Sequence, residues 1–147
     1  MKTYIGTHFT LEEFEKNNHG FANVPSPVLV GRLKLLVAKT LDPAREEYGD
    51  KIEVSSGYRC PELNEDVGGV HSSQHELAEA ADLKCKDNAK LFHIIRKQGQ
   101  FDQLIWEGGD SKQPAWVHAS FSAKRMRKEV LIMSIVKGEK VYTHYKA

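Results

Sequence analysis

Residues 80–121 read AADLKCKDNAKLFHIIRKQGQFDQLIWEGGDSKQPAWVHASF, and they carry the pattern that decides the fold. Ala81, Leu83 and Cys85 alternate with Ala80, Asp82 and Lys84, which predicts a strand with two different faces. Asp87 or Asn88 caps a helix bearing Leu91, Ile94 and Ile95, and Gly99 ends it. Gln103–Glu107 predicts the next strand, Glu107–Pro114 a polar loop, and Ala115–Phe121 another strand. Working upstream, Lys51–Ser55 alternates as a strand and runs into a turn, Ser56-Gly57-Tyr58-Arg59-Cys60-Pro61. Leu63–Val67 suits a short helix stopped by Gly68-Gly69. Thr10 with Glu13 resembles a capping box opening a helix, and Ser26-Pro27 starts a second helix carrying Leu29, Leu33, Leu36, Val37 and Leu41. Pro43 should kink or break that helix, and Gly49 should end the segment beyond the proline. Downstream, Lys137-Gly138 joins two strands as a hairpin. Helices come first and strands later, with short connections. The expected fold is α+β, with helices packed on one face of a mostly antiparallel sheet.

The chain has 147 residues and a mass of 16.6 kDa, so a single domain spanning 1–147 is expected. Lys+Arg 21 against Asp+Glu 20 gives a net charge of +1, which argues against a nucleic-acid-binding surface. Lys124, Arg125, Arg127 and Lys128 form a basic run that reads as a solvated turn or as a patch attracting an anionic polymer. No apolar run approaches the ~20 residues that span a bilayer. The start, MKTYIGTHFTLEEF, lacks the apolar region of a signal peptide, so synthesis in the cytoplasm without standard export is expected. Cys60 and Cys85 are either two reduced, small core residues or one bridge; no CxxC pair is present.

The candidate chemistry lies between Ser56 and Ser120. A catalytic zinc takes three protein ligands and leaves one position open. His75, Asp82 and His118 supply two imidazoles and a carboxylate. Asp82 and His118 sit on predicted strands, and His75 leads into the first of them. If those strands are neighbours, the three side chains can converge on one side of the sheet. Spacing alone leaves open a metal site or three unrelated polar residues.

In order, the chain carries Ser56-Gly57-Tyr58-Arg59, Gly68-Gly69, Ser73-Gln74-His75, Ala80, Asp82 and Trp116-Val117-His118. This series resembles the D-alanyl-D-alanine carboxypeptidase family of zinc peptidases (peptidase M15), which includes phage L-alanyl-D-glutamate endolysins and dipeptidases of vancomycin resistance. The likeness covers roughly residues 8–125 and is nearest to a small bacterial and phage-associated branch that also carries the Phe-Asp-Gln-Leu-Ile-Trp-Glu stretch, here Phe101–Glu107. Ala78 departs from the pattern, where the family usually has Gly; a methyl group is tolerable there unless the backbone needs positive φ. The resemblance implies that His75, Asp82 and His118 hold Zn²⁺. It gives Arg59 the substrate carboxylate or the scissile carbonyl, and Ser73 a hydrogen bond to substrate or to the ligand loop. Tyr58 reads as packing.

The proton carrier is the least legible part. Relatives often have an acid or His just before the last ligand, but here Gln113–Val117 offer none. Glu107 is the expected general base and Asp110 the second choice, with His71 read as a loop residue and His93 and His144 given no role. The resemblance implies a zinc metallopeptidase that cuts peptidoglycan stem peptides, either removing a terminal D-alanine or cutting internally. The sequence offers no sign of an oligomer, so a monomer is expected. Its route to the wall would be phage lysis, a virion or unusual export. Two rivals stand beside it: a zinc-bearing binding module like the hedgehog signalling domain, and a metal-free structural domain.

Overall fold

The structure is a computed structural model, and it describes residues 2–70 and 73–146. Six strands form one sheet among these residues: β1 (Glu53–Ser56), β2 (Ala80–Lys84), β3 (Gln103–Glu107), β4 (Trp116–Ser120), β5 (Glu129–Val136) and β6 (Glu139–His144). Their spatial order is β1-β2-β4-β3-β5-β6. All neighbouring pairs are antiparallel except β3 with β5, which is parallel. The α+β expectation holds, and the parallel pair is an addition to it. It arises because residues 121–128 carry the chain from the end of β4 back to the start of β3, where Glu129 N–H donates to the Asp102 carbonyl at 2.9 Å.

One face of the sheet is covered by α5 (Asn88–Gln98), the long helical arm and the short helix α1 (Leu11–Glu15). Leu83, Val117, Leu104 and Trp106 point to this side and join Phe92, Ile95, Leu36 and Leu41 in the main core. The helical arm is α2 (Pro27–Leu36), a π turn (Val37–Leu41) and α3 (Asp42–Tyr48), with backbone dihedrals helical throughout the junctions. Of the kink or break expected at Pro43, the break does not occur. Proline lacks the N–H that would bond four residues back. The helix widens just before it, with Asp42 N–H donating to the Val37 carbonyl, and so passes the proline without stopping. No helix among the described residues is long and apolar enough to cross a membrane.

The strand boundaries follow the alternation. The expected strand ending at Cys85 is β2, ending at Lys84, and Ala80, Ala81, Asp82 and Leu83 are all buried, although only one face of the strand lies against the helices. The expected Leu63–Val67 helix is α4, Pro61–Asp66. Lys137 (φ 52°) and Gly138 (φ 79°) make the two-residue turn between β5 and β6 with positive φ at both positions. Both cysteines are free and partly buried.

Candidate metal centre

The second face of the sheet is where the polar residues gather. Asp82 on β2 and His118 on β4 are register partners, so their side chains leave the sheet side by side. Glu107 on β3 pairs with Trp116, two residues before His118, and therefore projects on the same side one step along the strands. His75 arrives from the turn at 73–79, which precedes β2. Ala78 N–H and Glu79 N–H bond back to His75 and Gln74 carbonyls, and Ala78 closes the turn at φ 59° before the chain straightens into β2. The position does require positive φ, so the expected tolerance of alanine comes with left-handed strain.

Two close approaches fix the loops around these residues. Gly57 lies against α1: a Cβ there would stand 2.7 Å from Phe14 Cα. Its carbonyl accepts from His75 Nδ1 at 2.9 Å, leaving Nε2 free to act as a donor atom toward a metal. A Cβ on Gly69 would fall 2.1 Å from Asn64 Oδ1, an atom that already accepts from Ser73 Oγ at 3.0 Å and Arg59 Nη1 at 3.4 Å. Asn23, buried, grips the Ser56–Cys60 turn from both sides, donating to the Tyr58 carbonyl at 2.6 Å and accepting from Cys60 N–H at 2.7 Å.

Asp82 Oδ1 lies 3.3 Å from His75 Nε2 and 3.2 Å from His118 Nδ1. One donor atom from each of the three residues lies within 4.8 Å of the others. Two ligands bound to zinc at their usual lengths in a tetrahedron stand about 3.3 Å apart. The donor set and its spacing therefore fit a divalent zinc-like cation. All three residues are buried, yet they line an open cleft of about 680 Å³.

Arg59 also reaches Asp82. Its Nη2 donates to Asp82 Oδ2 at 3.3 Å and its Nε to Ser56 Oγ at 3.0 Å. The guanidinium thus orients the carboxylate so that Oδ1 faces the imidazoles, while still lining the cleft. Glu107 lines the same cleft and is 6 % exposed. Burial raises its carboxyl pKa; His118 opposes this, and the charge of Asp82 adds to it.

The family model for Peptidase M15 matches residues 7–120. The chain belongs to the peptidase M15 family. No curated protein sequence matches the chain. The domain of this M15 member is thus a peptidase-family domain, with a possible His/Asp/His metal site on its open face.

The remaining expected residues occupy varied places. Ser73 lines the cleft and donates to Asn64. Tyr58 is buried in the core. Asp110 is exposed and does not line this cleft; its Oδ1 accepts from Lys112 and Gln113 N–H and ties down the β3–β4 loop. His93 packs among Phe92, Trp106 and Tyr145 on the helix-covered side. His144 is exposed on β6. His71 lies outside the described residues. Residues that the sequence does not point to include Lys140 and Tyr142, which β6 brings to the cleft wall from beyond the family match. Gln74 and Asp102 sit inside the motifs without any role that spacing reveals, and Arg127 reads as one member of the basic run.

Proposed function

We propose that this chain is a zinc-dependent metallopeptidase acting on the stem peptides of bacterial peptidoglycan, as a carboxypeptidase or endopeptidase, with residues 1–147 forming one catalytic domain. The observation that carries the reading is the placement of Asp82 Oδ1 between His75 Nε2 and His118 Nδ1 on the floor of an open cleft. His75, Asp82 and His118 would hold the zinc. Bound there, zinc supplies a Lewis acid that lowers the pKa of a water and polarises a carbonyl.

The protein's own groups do the rest. Glu107 faces the same cleft and is the carboxylate that takes a proton from the attacking water and returns it to the departing amine nitrogen as the C–N bond breaks. Burial raises its pKa, which favours taking up the proton that it passes on. Arg59 contributes fixed positive charge beside the zinc ligands and stabilises the oxyanion or a substrate carboxylate. Trp116, Leu131 and Tyr142 form apolar walls suited to small aliphatic side chains such as that of alanine, and Lys140 adds a second cation for an anionic peptide end.

The test is metal analysis of the purified protein beside digestion of isolated muropeptides. The expected result is zinc at one equivalent per chain in the family's manner and product formation that stops with a chelator and returns with Zn²⁺. Digestion that continues in chelator removes the zinc mechanism. Zinc without digestion of any muropeptide leaves a metal-holding module.

A further inference from the structure

Asp102 is fully buried, with 0 % exposure, although it lies just ahead of β3 beside a basic run. Its Oδ1 accepts from Arg127 N–H at 3.0 Å and from Arg127 Nε at 2.9 Å. Its Oδ2 accepts from Arg127 Nη2 at 3.0 Å and from Gln74 Nε2 at 2.8 Å. Arg125 approaches the same oxygen at 3.6 Å. A carboxylate held by two arginines is ionised and can only accept hydrogen bonds. Gln74 must therefore turn its NH₂ group toward Asp102. That orientation aims Gln74 Oε1 at His118 Nε2, 3.0 Å away. An amide oxygen also only accepts, so Nε2 carries the hydrogen. A neutral imidazole protonated at Nε2 has its lone pair on Nδ1, the atom that lies beside Asp82 Oδ1.

We propose that Asp102 and Gln74 form a positioning relay that fixes the ring orientation and tautomer of His118, so that it offers Nδ1 to the metal. The relay rests on the zinc reading of the site. It is the counterpart of the contact that Gly57 makes with His75. There a backbone carbonyl holds Nδ1–H and presents Nε2; here side chains do so in the opposite sense. Arg127 completes the relay by holding Asp102 charged and in place, which gives part of the basic run after β4 a task inside the fold. Neither Gln74 nor Asp102 is a catalytic residue; each acts through His118.

The test is zinc affinity of the whole chain by competition with a chromophoric chelator, for wild type, Gln74→Met and Asp102→Asn. Gln74 is only partly buried, and Met fills similar space without disturbing the Asp102–Arg127 pair. Gln74→Met is expected to keep the thermal midpoint of the metal-free protein within a few degrees while weakening zinc binding about 10–100-fold. Nitrogen NMR of the zinc-loaded protein provides a second readout: the His118 Nε2–H signal present in wild type is expected to be lost or exchange-broadened in the variant. Unchanged affinity and an unchanged Nε2–H signal in Gln74→Met overturn the relay while leaving the zinc site intact. A wild type that binds no zinc overturns the site and the relay together. If Asp102→Asn does not fold, Gln74→Met decides alone.

Discussion

Two single positions have consequences that can be measured directly. Ala78 is an alanine at φ 59° with no exposed surface. Left-handed backbone costs a residue with a Cβ about 1–2 kcal/mol, against about 0.8 kcal/mol for the buried methyl that glycine would give up. With glycine's added freedom in the unfolded chain costing a further amount of about 0.5–1 kcal/mol, Ala78→Gly is expected to leave stability level. Ala80, equally buried but in extended β2, has no such strain, and Ala80→Gly is expected to lose about 1.5 kcal/mol. Urea titrations of the pair check this; equal losses would contradict the strain at position 78. Glu107 is the second position. Burial raises its pKa, so it takes up a proton at a higher pH than an ordinary glutamate. A base in that state loses its function on acidification before the usual carboxylate range is reached, and kcat/KM is expected to fall accordingly in a pH–rate profile. Glu107→Gln is expected to lower hydrolysis about 10²–10⁴-fold. The same substitution should hold or raise the thermal midpoint of the metal-free protein at pH 8. A folded pKa above the unfolded one means that stability is lost as pH rises through those values, and glutamine has no such loss.

Elements differ in how far local sequence determines them. The β5–β6 hairpin is set by its two-residue turn, which is why Lys137-Gly138 is readable without any tertiary information. Lys137 is exposed at φ 52°, where asparagine is far better tolerated, so Lys137→Asn is expected to add about 0.5 kcal/mol, seen as a higher urea midpoint with an unchanged m-value. A lower midpoint would mean that the lysine side chain contributes something its exposure hides. β2, β3 and β4 are legible for a related reason: alternation exposes the polar face, and Asp82 and His118 read as facing residues once their strands are taken as neighbours. The parallel pairing of β3 with β5 is not legible, because residues 121–128 have no periodicity and the choice is made by a backbone bond to the Asp102 carbonyl. The π turn is hidden as well. Pro43 announces a missing N–H, but not whether the helix ends or widens around it. Within the site, metal-ligand chemistry names His75, Asp82 and His118, whereas the relay depends on contacts 28 and 25 residues apart, from Gln74 and Arg127 to Asp102. An acidic residue before an apolar run looks like any exposed strand start until its partners are known.

At the scale of the whole molecule Asp102 is a junction. Its carboxylate joins the ligand turn through Gln74 and the segment after β4 through Arg127, and its backbone joins β4 through Ser120 and β5 through Glu129. Burial alone would raise its pKa, but the hydrogen bonds and charge of Arg127 outweigh that, with Arg125 adding to them, and the carboxyl is held below its ordinary value. A folded pKa below the unfolded one means the ionised group contributes stability above the unfolded value, and that contribution disappears as pH falls through the folded value. Asp102→Asn removes the charge but keeps the shape, leaving Arg127 with a neutral acceptor and the looser approach to Glu129 at 3.8 Å; breaking a buried charge pair costs about 3 kcal/mol. The Arg127 side chain is 37 % exposed, so water recovers part of the loss and about 2 kcal/mol is expected at pH 7. The gap between wild type and Asp102→Asn should narrow on acidification below the usual aspartate range, because wild type then loses the same charge. Urea unfolding of metal-free protein at pH 7 and pH 3 measures both gaps. A difference that stays constant between the two would show that Asp102 stabilises the fold through shape and neutral hydrogen bonds alone, and that its charge does not hold the ligand turn, β3 and β5 together.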